Sequence, residues 1–312
     1  MSGRSPQDIW QDGIDEGERR LKRSTSGLAA TGFAGGVEIF VGIVAMVVTT
    51  AALTPTLGEQ GAHVVGSLAF GVGFVLITVS RAELFTENFL IPLSALHARR
   101  SRASALPRMW VITLALNLVA LTLAAALFSV DGVLRPESLE TAGTLAATFA
   151  ERAWLPALLS AIAAGTVMTL FTWVIAAAED AIARVVLALL VGFVLGVPSL
   201  NHAVVSFGEL LFALFAGTAP FGYGDLARNF GLAVAGNLIG GIGIVFATRL
   251  AQVRGEPGVE DRTSVADPVR RAGSDGAGPD GARTDAARSD GPAEDADGRA
   301  PAGVATGADG RP

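Results

Sequence analysis

The sequence predicts an all-α integral membrane protein whose six transmembrane helices form two inverted three-helix repeats, with the second and fifth segments broken. Three observations predict it. Apolar runs of bilayer-spanning length recur between residues 27 and 250 of the 312-residue chain, which at 51% hydrophobic residues is too apolar for an ordinary soluble domain. Two of these runs are interrupted by charged or helix-disturbing residues, after which hydrophobicity resumes. Finally, a span, a broken span and a span with an asparagine motif follow one another twice. Leu116-Asn117-Leu118-Val119-Ala120 in the third span answers Gly236-Asn237-Leu238-Ile239-Gly240 in the sixth. Because three is odd, the second copy enters from the opposite face and is inverted about an axis in the membrane plane.

Residues 1–26 are polar and carry Arg19-Arg20-Leu21-Lys22-Arg23. With no apolar core and cleavage site, they read as an amphipathic cytoplasmic arm rather than a secretory signal. The first span, Gly27 to Thr50, contains Gly32, Gly35 and Gly36, which let a neighbouring backbone approach. Its one acid, Glu38, reads equally as a pore residue or as a polar helix contact. Thr54-Pro55-Thr56 marks a turn. The second span is apolar from Ala62 to Val79 and then meets Ser80-Arg81-Ala82-Glu83-Leu84-Phe85-Thr86-Glu87-Asn88 before Phe89-Leu90-Ile91-Pro92-Leu93. Renewed hydrophobicity after those charges predicts a loop dipping into the bundle. A basic connection with Arg99, Arg100, Arg102 and Arg108 leads to the third span, Met109 to Val130. An acidic-leaning loop, 131–152, precedes the fourth span, Leu155 to Ala178.

The fifth run, 183–217, is broken at Val197-Pro198-Ser199-Leu200-Asn201-His202. Irregular backbone at bilayer depth survives only when buried in protein or lining a wet cavity. A lone histidine in an apolar helix is more often structural. Here the proline and Asn201 beside it point to a discontinuous helix around a midplane site, which makes His202 the first functional candidate. The sixth span runs from Asn229 to Thr248. The domain of six spans is thus 27–250. Beyond it the composition turns to Asp, Gly, Ala, Arg and Pro, so 251–312 are expected to form a disordered cytoplasmic tail.

Cationic clusters before span one, between spans two and three, and after span six fall on one side. The positive-inside rule makes that side the cytoplasm, with both termini inside the plasma membrane. Cysteine is absent and His63, His97 and His202 are far apart in sequence, so neither a metal site nor a cofactor is expected. No basic patch suits nucleic acid, and no nucleophile-base pair or phosphate loop suggests an enzyme.

Ala82-Glu83-Leu84-Phe85-Thr86 with Asn88, Gly236-Asn237-Leu238-Ile239-Gly240-Gly241, and His202 in a broken fifth segment together resemble the formate/nitrite transporter family over about residues 27–250. The resemblance implies an aquaporin-like fold, a homopentamer and one pore per protomer. It further implies that Thr86 is a pore-loop hydroxyl facing His202, with Asn201 in the substrate pore and Phe70, Phe74, Leu84 and Leu195 as apolar constrictions. The chain departs from the family pattern in Asn201, where an acid is typical, in Gly165, where an asparagine is typical, and in Arg81, where glycine is usual. The vestibule lysine has no clear counterpart, Arg152 being only nearby. The expected function is a channel or proton-coupled transporter for small monovalent anions such as formate or nitrite. An aquaporin-like pore for a neutral solute is the alternative, and a non-transporting membrane scaffold a third reading.

Overall fold

An α-helix rises about 1.5 Å per residue. The 56-residue helix α2, Thr25–Ser80, would therefore extend far beyond a hydrocarbon core of about 30 Å if it were straight. Gly58, at φ 68° and ψ 169°, folds it into two antiparallel limbs. Gly42 of the first limb lies against Phe70 and Gly73 of the second, and Thr50 against Gly66. The sequence places the turn at 54–56; the fold makes it at Gly58 because only glycine takes this positive φ without a steric cost. Pro55 remains helical.

The structure, a computed structural model, describes residues 4–255, so the expected tail lies outside the described residues from 256 onward. Helix α1, Pro6–Leu21, starts at a capping box in which Ser5 and Asp8 satisfy each other's amides, and it buries Ile9, Trp10, Ile14 and Leu21. After α2, Arg81 in the left-handed region (φ 61°) ends the helix. An extended stretch then leads into a 3-10 turn, Phe85–Phe89, and the short α3, Ile91–His97. Helix α4 spans Ala105–Phe128 and α6 spans Trp154–Ala177. Between them the expected acidic loop contains a helix, α5, Pro136–Ala150, which buries Ala142, Ala146 and Phe149. Its acids sit on the exposed face, so composition hid the apolar stripe.

The fifth segment is α7, Ala181–Gly196, and α8, Ala203–Phe215, separated by six irregular residues. The last segment is continuous: α9, Tyr223–Leu238, runs through a π-helical stretch, Ile239–Phe246, into α10, Ala247–Gly255. It is longer at both ends than the expected 229–248. Four of these helical stretches are long and apolar enough to cross a membrane, with α7 and α8 as shorter apolar helices.

Two asparagines make the same set of bonds in different halves of the chain. Asn117 on α4 accepts from Phe85 N–H (2.9 Å) and donates to the carbonyls of Gly32 (2.7 Å) and Glu83 (3.1 Å). Asn237 on α9 accepts from Ala203 N–H (2.9 Å) and donates to the carbonyls of Ala161 (2.8 Å) and Asn201 (3.1 Å). Each amide thus serves backbone groups that a broken helix leaves without partners. Close helix approach lets them reach. A Cβ on Gly36 would fall 2.6 Å from the Asn117 carbonyl oxygen, and one on Gly165 would fall 2.2 Å from that of Asn237.

Candidate functional site

The two breaks meet at one hydrogen bond. Thr86 Oγ1, in the 3-10 turn, and His202 Nε2, at the start of α8, are 2.6 Å apart, both fully buried. His202 is the N-cap of α8, and its Nδ1 accepts the Val205 amide at 3.2 Å. An imidazole nitrogen that accepts carries no hydrogen, so in the neutral ring the proton is on Nε2, which donates to Thr86 Oγ1. Among the described residues the Thr86 hydroxyl makes no other hydrogen bond, so its own hydrogen remains free to donate. The N-terminus of α8, with its positive dipole end, lies at the same place.

Asn201 is buried but turned elsewhere. It exchanges two 3.0 Å bonds with Asn229 of α9 and donates to the Ala157 carbonyl of α6. By the asparagine bonding pattern Asn201 corresponds to Glu83, and the difference in side chain follows the partners. Glu83 pairs with Arg23 (2.7 Å) and Arg20 (3.3 Å) on the α1 side, whereas the Asn201 side chain bonds neutral groups, the Asn229 amide and the Ala157 carbonyl. Leu84, the counterpart of His202 in that pattern, is fully buried in the apolar core that also holds Phe70, Phe74 and Leu195.

A cavity of about 320 Å³ opens beside α1, lined by Arg20, Arg23, Arg81 and Arg184, by Glu83 and Glu87, and by Phe171. A second, of about 10 Å³, enough for one water, is lined by His202, Phe70 and Leu195 among others. Between the two runs an aromatic row. Phe171 and Phe74 have ring centroids 6.2 Å apart, and Phe74 and Phe70 5.5 Å, both edge to face. Thus Phe70 and Leu195 face the small cavity, Phe74 links the row, and Leu84 lines neither space.

Outside the membrane-spanning segments, α1 is tied down by charge. Burial alone would raise the Glu16 carboxyl, but the hydrogen bonds and charges of Arg19 and Arg20 outweigh it and hold it at about 2. Arg152, between α5 and α6, donates to Ser160 Oγ and to the Ser199 carbonyl, bracing the second break. Glu38 accepts from Ser80 Oγ at the end of α2 (2.8 Å).

Two residues of the small cavity, His63 and Glu209, are absent from the sequence-based candidates. The signal was available for Glu209, a single acid inside the 203–215 apolar run, as Glu38 is inside its own. Phe171 could not be singled out, because a phenylalanine in an apolar helix is ordinary.

The sequence model of the formate/nitrite transporter family matches residues 7–251. The formate channel BtFdhC of Bacillus thuringiensis is 24% identical over 251 residues, 78% of this chain and 94% of its own. Among solved structures, an ion channel of the same family superposes with a TM-score of 0.70 at 18% identity, covering 80% of this chain and 99% of that one. A pentameric formate channel with formate bound superposes with a TM-score of 0.61 at 16% identity, covering 74% and 97%.

Proposed function

Because the chain belongs to the formate/nitrite transporter family, we propose that it is a channel or proton-coupled transporter for small monovalent weak-acid anions, formate or nitrite among them, with the Thr86–His202 pair at the centre of its path. The observation that carries this reading is the 2.6 Å bond joining the two breaks, which leaves a hydroxyl hydrogen free beside the N-terminus of α8. A small anion stripped of water needs donors aimed at it, and a threonine hydroxyl polarised by an imidazole N–H, together with a helix dipole, supplies them.

The rest of the path follows from the cavities. The arginines of the large cavity draw anions to the mouth beside α1. Phe171, Phe74, Phe70 and Leu195 then exclude water on the way to His202, while Leu84 closes the apolar packing behind Thr86. A bare anion crosses such dry stretches at high cost, and its protonated acid crosses readily. A second proton on His202 goes to Nδ1, where it displaces the bond from Val205 N–H, so proton uptake and the α8 cap are linked. Asn201 contributes by holding the break in place through Asn229.

The same reading takes the halves of the chain as inverted three-helix repeats with six spans, supported by the matching bonds of Asn117 and Asn237. It takes residues 1–26 as the arm, 27–250 as the transport domain and 251–312 as a tail. It puts both termini in the cytoplasm of a plasma-membrane protein, a reading that the arginine-rich connections support. A homopentamer with a pore in each protomer is proposed because the formate channel of like fold is pentameric.

One observation favours the neutral-solute reading: among the described residues no lysine or arginine lines the small cavity around His202. The deciding experiment is flux of formate, nitrite and chloride into proteoliposomes at about pH 5 and pH 8, beside His202→Ala and beside swelling in neutral solutes. Flux of weak-acid anions that rises at low pH and is lost in His202→Ala supports anion transport. Swelling without anion flux replaces it with the neutral-solute pore.

A further inference from the structure

Glu209 sits one turn beyond Val205 on α8, and both line the small cavity that His202 faces. It is 6% exposed, and among the described residues no hydrogen bond or ion pair reaches its carboxyl. Every element packed against α8 leaves it uncompensated. The second limb of α2 brings His63, whose Nε2 is 3.2 Å from the Val197 carbonyl oxygen, and α8 itself brings His202. Helix α5 contributes Leu145 and Phe149. Two arginines around α5 and α9 are committed elsewhere: Arg152 lies over the Phe149 ring and bonds Ser160 and Ser199, and Arg228 of α9 bonds the Ala150 carbonyl. Helix α4 carries no charged residue between Arg108 and Asp131, and the 3-10 turn brings Thr86 and Glu87.

Resting on the permeation reading above, we propose that Glu209 is a charge-selecting residue of the path, lining the His202 cavity so that an anion is admitted only when the carboxyl is in its acid form. A space for about one water cannot screen two negative charges from each other. An ionised Glu209 therefore excludes the anion, and a proton on its carboxyl oxygen removes the barrier. The fold thereby sets the pH dependence of anion entry at a residue separate from the His202–Thr86 station. For neutral solutes the charge state of Glu209 makes no such barrier.

Nitrate tests this: it crosses the dry stretches more slowly than a weak acid does, but it stays an anion at every working pH, so any pH dependence of its flux must come from the protein. Nitrate and formate flux into proteoliposomes of the full chain is compared from pH 5 to pH 8 for wild type, Glu209→Gln and His202→Ala. Wild-type nitrate flux is expected to fall about tenfold across that range. In Glu209→Gln it stays near its low-pH value throughout, and in His202→Ala it is low at every pH. Flux that needs His202 yet keeps the wild-type pH profile in Glu209→Gln overturns this inference alone. Absence of anion flux in every protein, wild type included, overturns the permeation reading and this inference with it. Should Glu209→Gln not fold, infrared spectra of the wild type supply the second readout. A protonated-carboxyl band that disappears as pH rises, in step with nitrate flux, supports the proposal. A carboxyl signal unchanged across the range while flux varies contradicts it.

Discussion

Asn117 and Asn237, on helices from opposite halves of the chain, each hold one broken segment by accepting one amide and donating to two carbonyls at nearly the same distances. The breaks they hold carry Thr86 and His202, so the geometry of the central pair depends on these two amides.

Replacing either asparagine with alanine leaves a buried amide and a buried carbonyl at a break without partners, at roughly 1–3 kcal/mol each. Asn117→Ala and Asn237→Ala are each expected to lose about 2–6 kcal/mol of stability by that estimate, seen as a lower unfolding midpoint in detergent. A loss in one and none in the other would show that the two breaks are held differently.

The Thr86 side chain offers both an acceptor to His202 and a donor of its own. Thr86→Ser keeps both and should keep most anion flux. Thr86→Val keeps the shape and removes the hydroxyl, and the loss of one polarised hydrogen bond, about 1.5–3 kcal/mol, predicts a fall of roughly ten- to 150-fold in formate flux. Equal flux in the two variants would remove Thr86 from the path.

At Gly165 there is no room for a methyl group against the Asn237 carbonyl, and the nearby atoms are backbone that cannot swing away. Gly165→Ala is expected to cost about 1–3 kcal/mol or more through overpacking of α6 on α9. Gly231→Ala and Gly243→Ala, whose added methyl groups meet nothing within 4 Å, serve as controls and should be neutral or stabilising. Thermal unfolding of the four proteins in one detergent decides it.

The Glu16 carboxyl is held at about 2 in the folded protein, below its ordinary 4.5. A depressed carboxyl stabilises the docked helix fully above about pH 4.5 and loses that contribution as pH falls through 2. Proteolysis of the 4–24 region is therefore expected to accelerate from about pH 4.5 downward. In Glu16→Gln, protection by this residue should be absent and the acceleration over that window smaller. An unchanged profile would place the acid sensitivity of α1 elsewhere.

Much of the fold was legible because membrane helices declare themselves by composition and length. The runs, both breaks and the asparagine pair could be read locally. Helix α5 was not, since its acids face out and its buried stripe is mostly small residues, with Phe149 its one large side chain. The turn of α2 was misplaced by four residues or fewer because proline signals a turn but glycine makes this one. The family resemblance paired Thr86 with His202; no local pattern could, at a separation of 116 positions.

By itself, then, the sequence determined that this chain is a bundle of apolar helices with two interruptions and a histidine at one of them, because those features depend on residue type and spacing. Tertiary structure alone decided which polar groups meet. It turned Asn201 toward Asn229, joined His202 to Thr86, and set Glu209 and His63 on the same small cavity. The physical reason is that a buried polar group takes whatever partner the packing of distant helices brings within about 3 Å, and that distance is not encoded in any one segment.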